Sequence, residues 1–300
     1  MNTRSSTLAV TLLTLLYSMQ VYSLDKVVYG EDNRIETREA SQRIQNIAKS
    51  VAAQVPMYAF RFGVEEGMAQ LRSKTLEQLG ICSYENFFRQ TTAAECSAFL
   101  VSPTKILTAG HCIQSQNECN NKKWVFDYKV GNGYYAGKNI KVYEKNVYSC
   151  KKLIAQKAEY FNGKDIVDFA LIELDRPVTD RAPLKLNLQS KITKQDELLI
   201  IGHPSGLPQK IADAGTLKSL NPSKSYYLAR LDAFQGNSGS PVINAQTEEV
   251  EGILISGVED YESVKRNGKR CFIPKICTTQ DHCEGEAVFK IEEVLNYTKI

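Results

Sequence analysis

The chain has 300 residues, 43% hydrophobic and 24% charged, a globular balance that excludes a disordered or fibrous polymer. This length allows two domains at most, or one large β-rich domain. A formal net charge of +3, from 37 basic and 34 acidic residues, is too even to argue for nucleic acid or an anionic membrane as a partner.

The first segment reads as an export signal. Arg4 supplies a positive start, residues 8–16 form a short apolar core, and Val21-Tyr22-Ser23 offers a small-x-small cleavage pattern, so residues 1–23 are assigned to a signal peptide. The apolar core is shorter than the roughly 20 residues a membrane span needs. The mature protein is therefore expected in the periplasm or the medium, off the membrane and monomeric. Residues 24–95 look different from the rest, and residues 24–80 are expected to form an N-terminal extension or propeptide. Within them Ile44, Ile47, Ala48, Val51, Ala52 and Val55 recur at helical spacing up to Pro56, which predicts one amphipathic helix. Gly63 and Gly67 interrupt the pattern, and residues 71–79 predict a second short helix.

From Cys96 onward, short apolar runs alternate with Gly, Pro, Asn and Ser. Strands are predicted over 98–102, 105–108, 124–130, 170–174, 198–202, 226–231, 241–244 and 250–256. Short strands with frequent turn signals indicate an all-β sandwich or barrel, here a domain over residues 81–300. The tail at 290–300 predicts a helix with Ile291, Val294 and Leu295 on one face.

The eight cysteines all follow the signal, and an even count in an oxidising compartment favours disulfides. A zinc site at Cys271, Cys277, His282 and Cys283 is the competing reading. Five residues separate each successive pair of those cysteines, which misses the usual knuckle spacing. Neither a metal nor a cofactor is expected.

Three segments carry the chemistry: Thr108-Ala109-Gly110-His111-Cys112, Asp168-Phe169-Ala170-Leu171-Ile172, and Gly236-Asn237-Ser238-Gly239-Ser240-Pro241. Each alone has the composition of a turn or a strand end. Their order, His then Asp then Ser, is one of the few that a hydrolytic triad adopts. A serine hydroxyl becomes a nucleophile when an imidazole takes its proton, and the imidazole needs a carboxylate to fix its tautomer. An α/β-hydrolase would instead show G-x-S-x-G and run Ser, Asp, His; here Ser240 stands where its second glycine would be. Of the remaining histidines, His203 is expected to shape a strand-to-loop turn, with substrate contact as the alternative, and His282 to be exposed. Asn296-Tyr297-Thr298 matches a glycosylation acceptor but is assigned no role.

The three blocks resemble those of the trypsin/chymotrypsin-like serine peptidases, especially the secreted bacterial branch that includes glutamyl endopeptidases. Residues 202–208 are similar to a segment of bacterial trypsin-like proteins. The resemblance spans residues 96–258 and is weaker over 79–95 and the cysteine-rich tail. It implies an all-β fold of two packed six-stranded β-barrels with the active site in the cleft between them. It also implies His111 as general base, Asp168 as its orienting carboxylate, Ser238 as nucleophile, and the N–H groups of Gly236 and Ser238 as oxyanion hole. The expected function is a serine endopeptidase acting on proteins or peptides; the alternative is a non-catalytic secreted binding module on the same fold.

The resemblance further implies a Cys96–Cys112 disulfide beside His111. Cys119–Cys150 is expected from their place between the first two blocks, and Cys82, Cys271, Cys277 and Cys283 leave three pairings. Asp232 lies at the offset where trypsin-like enzymes hold the carboxylate that binds a substrate Arg or Lys. Ala233 to Gln235 and Ile255 to Gly257 would wall that pocket, with Gln235 and Gly257 against the substrate. Some glutamyl endopeptidases resemble this segment with a structural Asp at that offset, but their pocket His and Thr are matched here by Leu254 and Ala233. Arg or Lys is therefore the expected preference, then small or apolar residues, with Glu last. Asn237 replaces the Asp of trypsin-type zymogens, so activation is not expected to use an ammonium–carboxylate pair there.

Overall fold

The computed structural model describes residues 28–131, 140–160, 165–189, 192–255, 260–266, 268–277 and 283–300. The export signal, Gly257 and His282 lie outside the described residues. Twelve strands build two closed antiparallel barrels, six in each. The first contains β1 (Val51–Pro56), β2 (Cys96–Ser102), β3 (Lys105–Thr108), β4 (Lys122–Phe126), β5 (Val147–Tyr160) and β6 (Ile166–Leu174). Its order is β5-β6-β3-β2-β1-β4, with β4 returning to β5.

The second barrel contains β7 (Glu197–Gly202), β8 (Lys210–Leu220), β9 (Tyr226–Arg230), β10 (Pro241–Asn244), β11 (Val250–Leu254) and β12 (Glu286–Lys290). Its order is β7-β10-β11-β12-β9-β8, closed by β8 on β7. The two-residue strand Ile35–Glu36 adds to the outside of β8.

The strands use both faces. Ala98 and Leu100 of β2 and Ile172 of β6 fill the first barrel together with Trp124 and Phe126. Leu198 and Ile200 of β7, Val242 and Val288 fill the second. The alternate residues Phe99, Leu107, Leu171, Ile201, Ile243 and Phe289 form a third apolar layer between the barrels. Phe169 and Phe289 stack across it with centroids 5.7 Å apart. Burial on both faces produces continuous apolar runs instead of polar–apolar alternation.

The N-terminal part of the domain corrects three expectations. The helix predicted from Ile44 to Val55 is only Gln42–Ala48, capped by Ser41 Oγ on the Ile44 N–H. The rest of that apolar stripe is β1, with all six residues buried between β2 and β4. The segment expected to be an extension therefore closes the first barrel, and the domain begins well before residue 81. Residues 71–79 contain the end of a strand and one 3₁₀ turn, Glu77–Leu79. At the C-terminus, the helix expected over 290–300 is β12 followed by a 3₁₀ turn, Ile291–Asn296.

The disulfides are Cys82–Cys271, Cys96–Cys112, Cys119–Cys150 and Cys277–Cys283. Cys271, Cys277 and Cys283 are thus all oxidised, which leaves the zinc alternative without thiolates. Cys82–Cys271 joins residues 189 apart, against 6 for Cys277–Cys283. Loop-closure entropy then assigns about 5 kcal/mol to the first and about 2 kcal/mol to the second. Replacing the first pair with alanine should lower the urea midpoint more than replacing the second. The reverse ranking would contradict this account.

Candidate active site

His111 sits on a 3₁₀ turn, Gly110–Cys112, directly after β3. A Cβ at residue 110 would overlap the Lys157 carbonyl, so glycine allows this turn to lie against β5. Gln156 Nε2 donates to Gly110 O at 3.1 Å, and Gln54 Nε2 of β1 donates to Cys112 O at 3.0 Å. The disulfide to Cys96 ties the turn back to β2. Gln54 thus holds the far end of this turn from a strand, where the apolar spacing of residues 44–55 predicts a helix.

Asp168, on β6, is completely buried. Its Oδ1 accepts the His111 backbone N–H at 3.0 Å, and its Oδ2 lies 2.7 Å from His111 Nδ1. Nδ1 therefore carries a proton toward the carboxylate, which directs the Nε2 lone pair away from it.

Ser238 follows Gly236 and Asn237 on a tight turn leading into β10. Gly236 has φ +93° and Gly239 +86°, a region L-residues rarely adopt. The Ser238 carbonyl accepts the Ser97 N–H at 2.8 Å, and Gly239 N–H donates to Leu254 O at 2.7 Å. Cys112 Sγ, next to His111, is 3.7 Å from Ser238 O. The serine turn and the histidine turn thus meet across the junction of the two barrels, with Asp168 behind them.

His203 is wholly buried and stacks on Tyr128 with centroids 5.4 Å apart. Its Nδ1 lies 3.1 Å from Leu207 O, and burial pulls its pKa down to about 3. It is a neutral core histidine at the turn after β7, too deeply buried to contact substrate.

Asp232 departs most from expectation. It is 4% exposed, and its two oxygens accept the Tyr29 N–H at 2.7 Å and the Asn33 N–H at 3.1 Å. The carboxylate anticipated at the base of a specificity pocket holds residues 28–33 instead, because buried carboxylates need donors and backbone amides supply them. The neighbouring Arg34 clasps Asp32 through two 2.7 Å bonds and lies 3.9 Å over the Phe234 ring. Lys210, also buried, donates to Glu36 Oε2 at 3.2 Å, Gln90 Oε1 at 2.9 Å and Pro208 O at 2.7 Å. Residues 28–36 therefore brace the loop that precedes Ser238, through partners about 200 positions away that sequence spacing cannot reveal.

Gln235 exposes its side chain, while its N–H donates to Asp260 Oδ2 at 2.7 Å. Asn237 is 2% exposed. Tyr29 and Asn33 reach this loop through their backbone amides on Asp232, and Arg34 reaches it over the Phe234 ring.

Burial pushes the Asp232 carboxyl up to about 6, against the pull of the Tyr29 and Asn33 amides. The unfolded value is about 3.9, so the folded state holds this proton more tightly. The resulting stability is fully present below about pH 4 and is lost as pH rises through about 6, by about 3 kcal/mol. Wild type should exceed Asp232→Ala in urea midpoint by more at pH 4 than at pH 7. A gap that widens with pH would contradict this assignment.

The profile of the trypsin-like peptidase domain matches residues 96–253, more than half of the chain, and the protein belongs to that family. Among solved structures it is similar to the Rv3671c protease of M. tuberculosis in its active form, with 14% identity, 90% of this chain and 87% of that chain covered, and a TM-score of 0.48. It is also similar to the VesB protease of Vibrio cholerae, with 13% identity, 88% and 65% covered, and a TM-score of 0.49. A Glu endopeptidase in complex with MPD has 18% identity, 83% and 93% covered, and a TM-score of 0.46.

Proposed function

We propose that this protein is an exported serine endopeptidase that cleaves protein or peptide substrates through an acyl-enzyme. The observation that carries the reading is the double hold of Asp168 on His111, at 3.0 Å to its backbone N–H and 2.7 Å to Nδ1, beside the Ser238 turn. In the proposed reaction Ser238 Oγ attacks the scissile carbonyl carbon while His111 Nε2 takes its proton. Gly236 and Ser238 N–H groups receive the oxyanion, where charge develops and fixed donors contribute most. Collapse expels the amine with the proton from His111, and water repeats the sequence to release the acid.

Four disulfides suit an oxidising compartment, and no helix among the described residues is long and apolar enough to cross a membrane. Asp232 does not offer its carboxylate to a substrate Arg or Lys, because its oxygens are occupied by the Tyr29 and Asn33 amides. A serine-directed phosphonylating reagent tests the reading. Stoichiometric labelling of Ser238 that disappears in Ser238→Ala is expected. A wild-type protein that takes up no label and cleaves no peptide in a mixed library would instead fit a binding module.

A further inference from the structure

Asp168 has a donor besides His111. Tyr160 Oη donates to Asp168 Oδ2 at 2.6 Å, the same oxygen that faces His111 Nδ1. The register of β5 on β6 explains how a residue at the strand end reaches it. Ala158 stands directly opposite Asp168, and Tyr160 stands opposite Ile166. Tyr160 is thus two positions beyond Ala158, on the same face and diagonal to Asp168. A diagonal of about 7–8 Å is within reach of a long aromatic side chain, and the small Ala158 leaves the path open.

We infer that Tyr160 is a positioning residue of the catalytic machinery, whose phenol locks the Asp168 carboxylate in the orientation that serves His111. This rests on the serine-peptidase reading above. The His111 backbone amide fixes Oδ1, and the phenol together with the imidazole fixes Oδ2, so the carboxylate cannot turn about its Cβ–Cγ bond without breaking a bond to each. The oxygens of a fully buried carboxylate need such donors. Tyr160 is 58% exposed overall, but desolvation at its hydroxyl and the Asp168 charge raise its pKa further above its ordinary value, so the phenol remains a donor throughout the working range of pH.

The phenol also draws charge from Oδ2. Without it the carboxylate is more basic, holds the Nδ1–H of a protonated His111 more strongly, and raises the proton affinity of the imidazole. Tyr160→Phe, which keeps the ring, should lower kcat about tenfold, leave KM unchanged, and move the acid limb of kcat/KM to higher pH. The other charged groups nearby are unaltered in that variant: Lys157 pairs with Glu159, Tyr297 lies 6.0 Å from the Lys157 ammonium, and Asp165 is bonded to Ser225. A residue that only supported the fold would reduce activity without moving the limb.

The experiment compares wild type, Tyr160→Phe, Asp168→Ala and the double variant, measuring kcat, KM and the pH profile on a peptide substrate. The downfield proton resonance of His111 Nδ1 is followed by NMR in the Tyr160→Phe protein. If Tyr160 acts through Asp168, its loss has no further effect once Asp168 is alanine. A Tyr160→Phe protein with wild-type kcat and acid limb, or an equal loss in both backgrounds, would overturn the inference. If wild type and Ser238→Ala are equally inactive, the peptidase reading fails on its own. The Nδ1 resonance then decides the contact: a shift in Tyr160→Phe supports the coupling, and an unmoved signal refutes it.

Discussion

Ser238→Ala and His111→Ala should each lower kcat by roughly 10⁵- to 10⁶-fold, and the double variant should be no slower than either single one. The reason is that the two groups perform one act. Ser238 Oγ becomes nucleophilic only as His111 Nε2 takes its proton, so an enzyme without the imidazole gains almost nothing from the hydroxyl. Residual turnover of roughly 10³- to 10⁴-fold over water should persist, from the oxyanion donors and substrate binding alone. Asp168→Asn should cost less than either, because it leaves the serine and imidazole in place while removing the charge that fixes the Nδ1 proton. Steady-state and single-turnover kinetics on one substrate check all four variants. Additive losses in the double variant would mean that Ser238 and His111 act independently, which the proposed mechanism excludes.

Gly236→Ala should reduce kcat by about 10²- to 10³-fold, the cost of one misplaced oxyanion donor, with little change in KM. The residue has φ +93°, and a Cβ there would overlap His203 O and stand 2.9 Å from Gly206 N. Neither neighbour can retreat easily. His203 is wholly buried, and its carbonyl already accepts the Gly206 N–H at 3.0 Å. The loop must therefore shift, and the N–H groups of residues 236 and 238 shift with it. Strain of roughly 1–3 kcal/mol should also appear as a lower Tm. Phosphonylation of Ser238 should be slowed rather than lost, because the nucleophile and its base remain. Undiminished kcat in Gly236→Ala would show that this amide does not receive the oxyanion.

The three candidate catalytic blocks were legible because their information is local. A histidine after a small-residue strand end, an Asp opening an apolar run and a serine between glycines each lie within five or six consecutive residues. Turn geometry demands glycine at 236 and 239 wherever the loop sits in space. The strands at 105–108, 241–244 and most of 96–102 were legible for the same reason, since turn residues bound them on both sides. The Cys96–Cys112 pair was implied by the family resemblance, and Cys119–Cys150 by their place between the first two blocks.

Other features were hidden by tertiary packing. β1 is buried on both faces, so it shows no period of two, and its apolar residues coincide with the helical spacing of the true helix before it. β5 is a 14-residue strand of mixed, half-buried composition, and its pairing with β6, and with β4 at its start, makes it extended. Tyr160 could not be connected to Asp168 without the register that sets Ala158 opposite the carboxylate. Asp232 was read as a substrate-binding carboxylate from its offset to Ser238, but its partners Tyr29 and Asn33 lie 203 and 199 positions away. The sequence alone determined which chemical groups were available and in what order. The closing of the two barrels decided which of them meet, because a strand's neighbours and a buried carboxylate's donors are set by contacts remote in the chain.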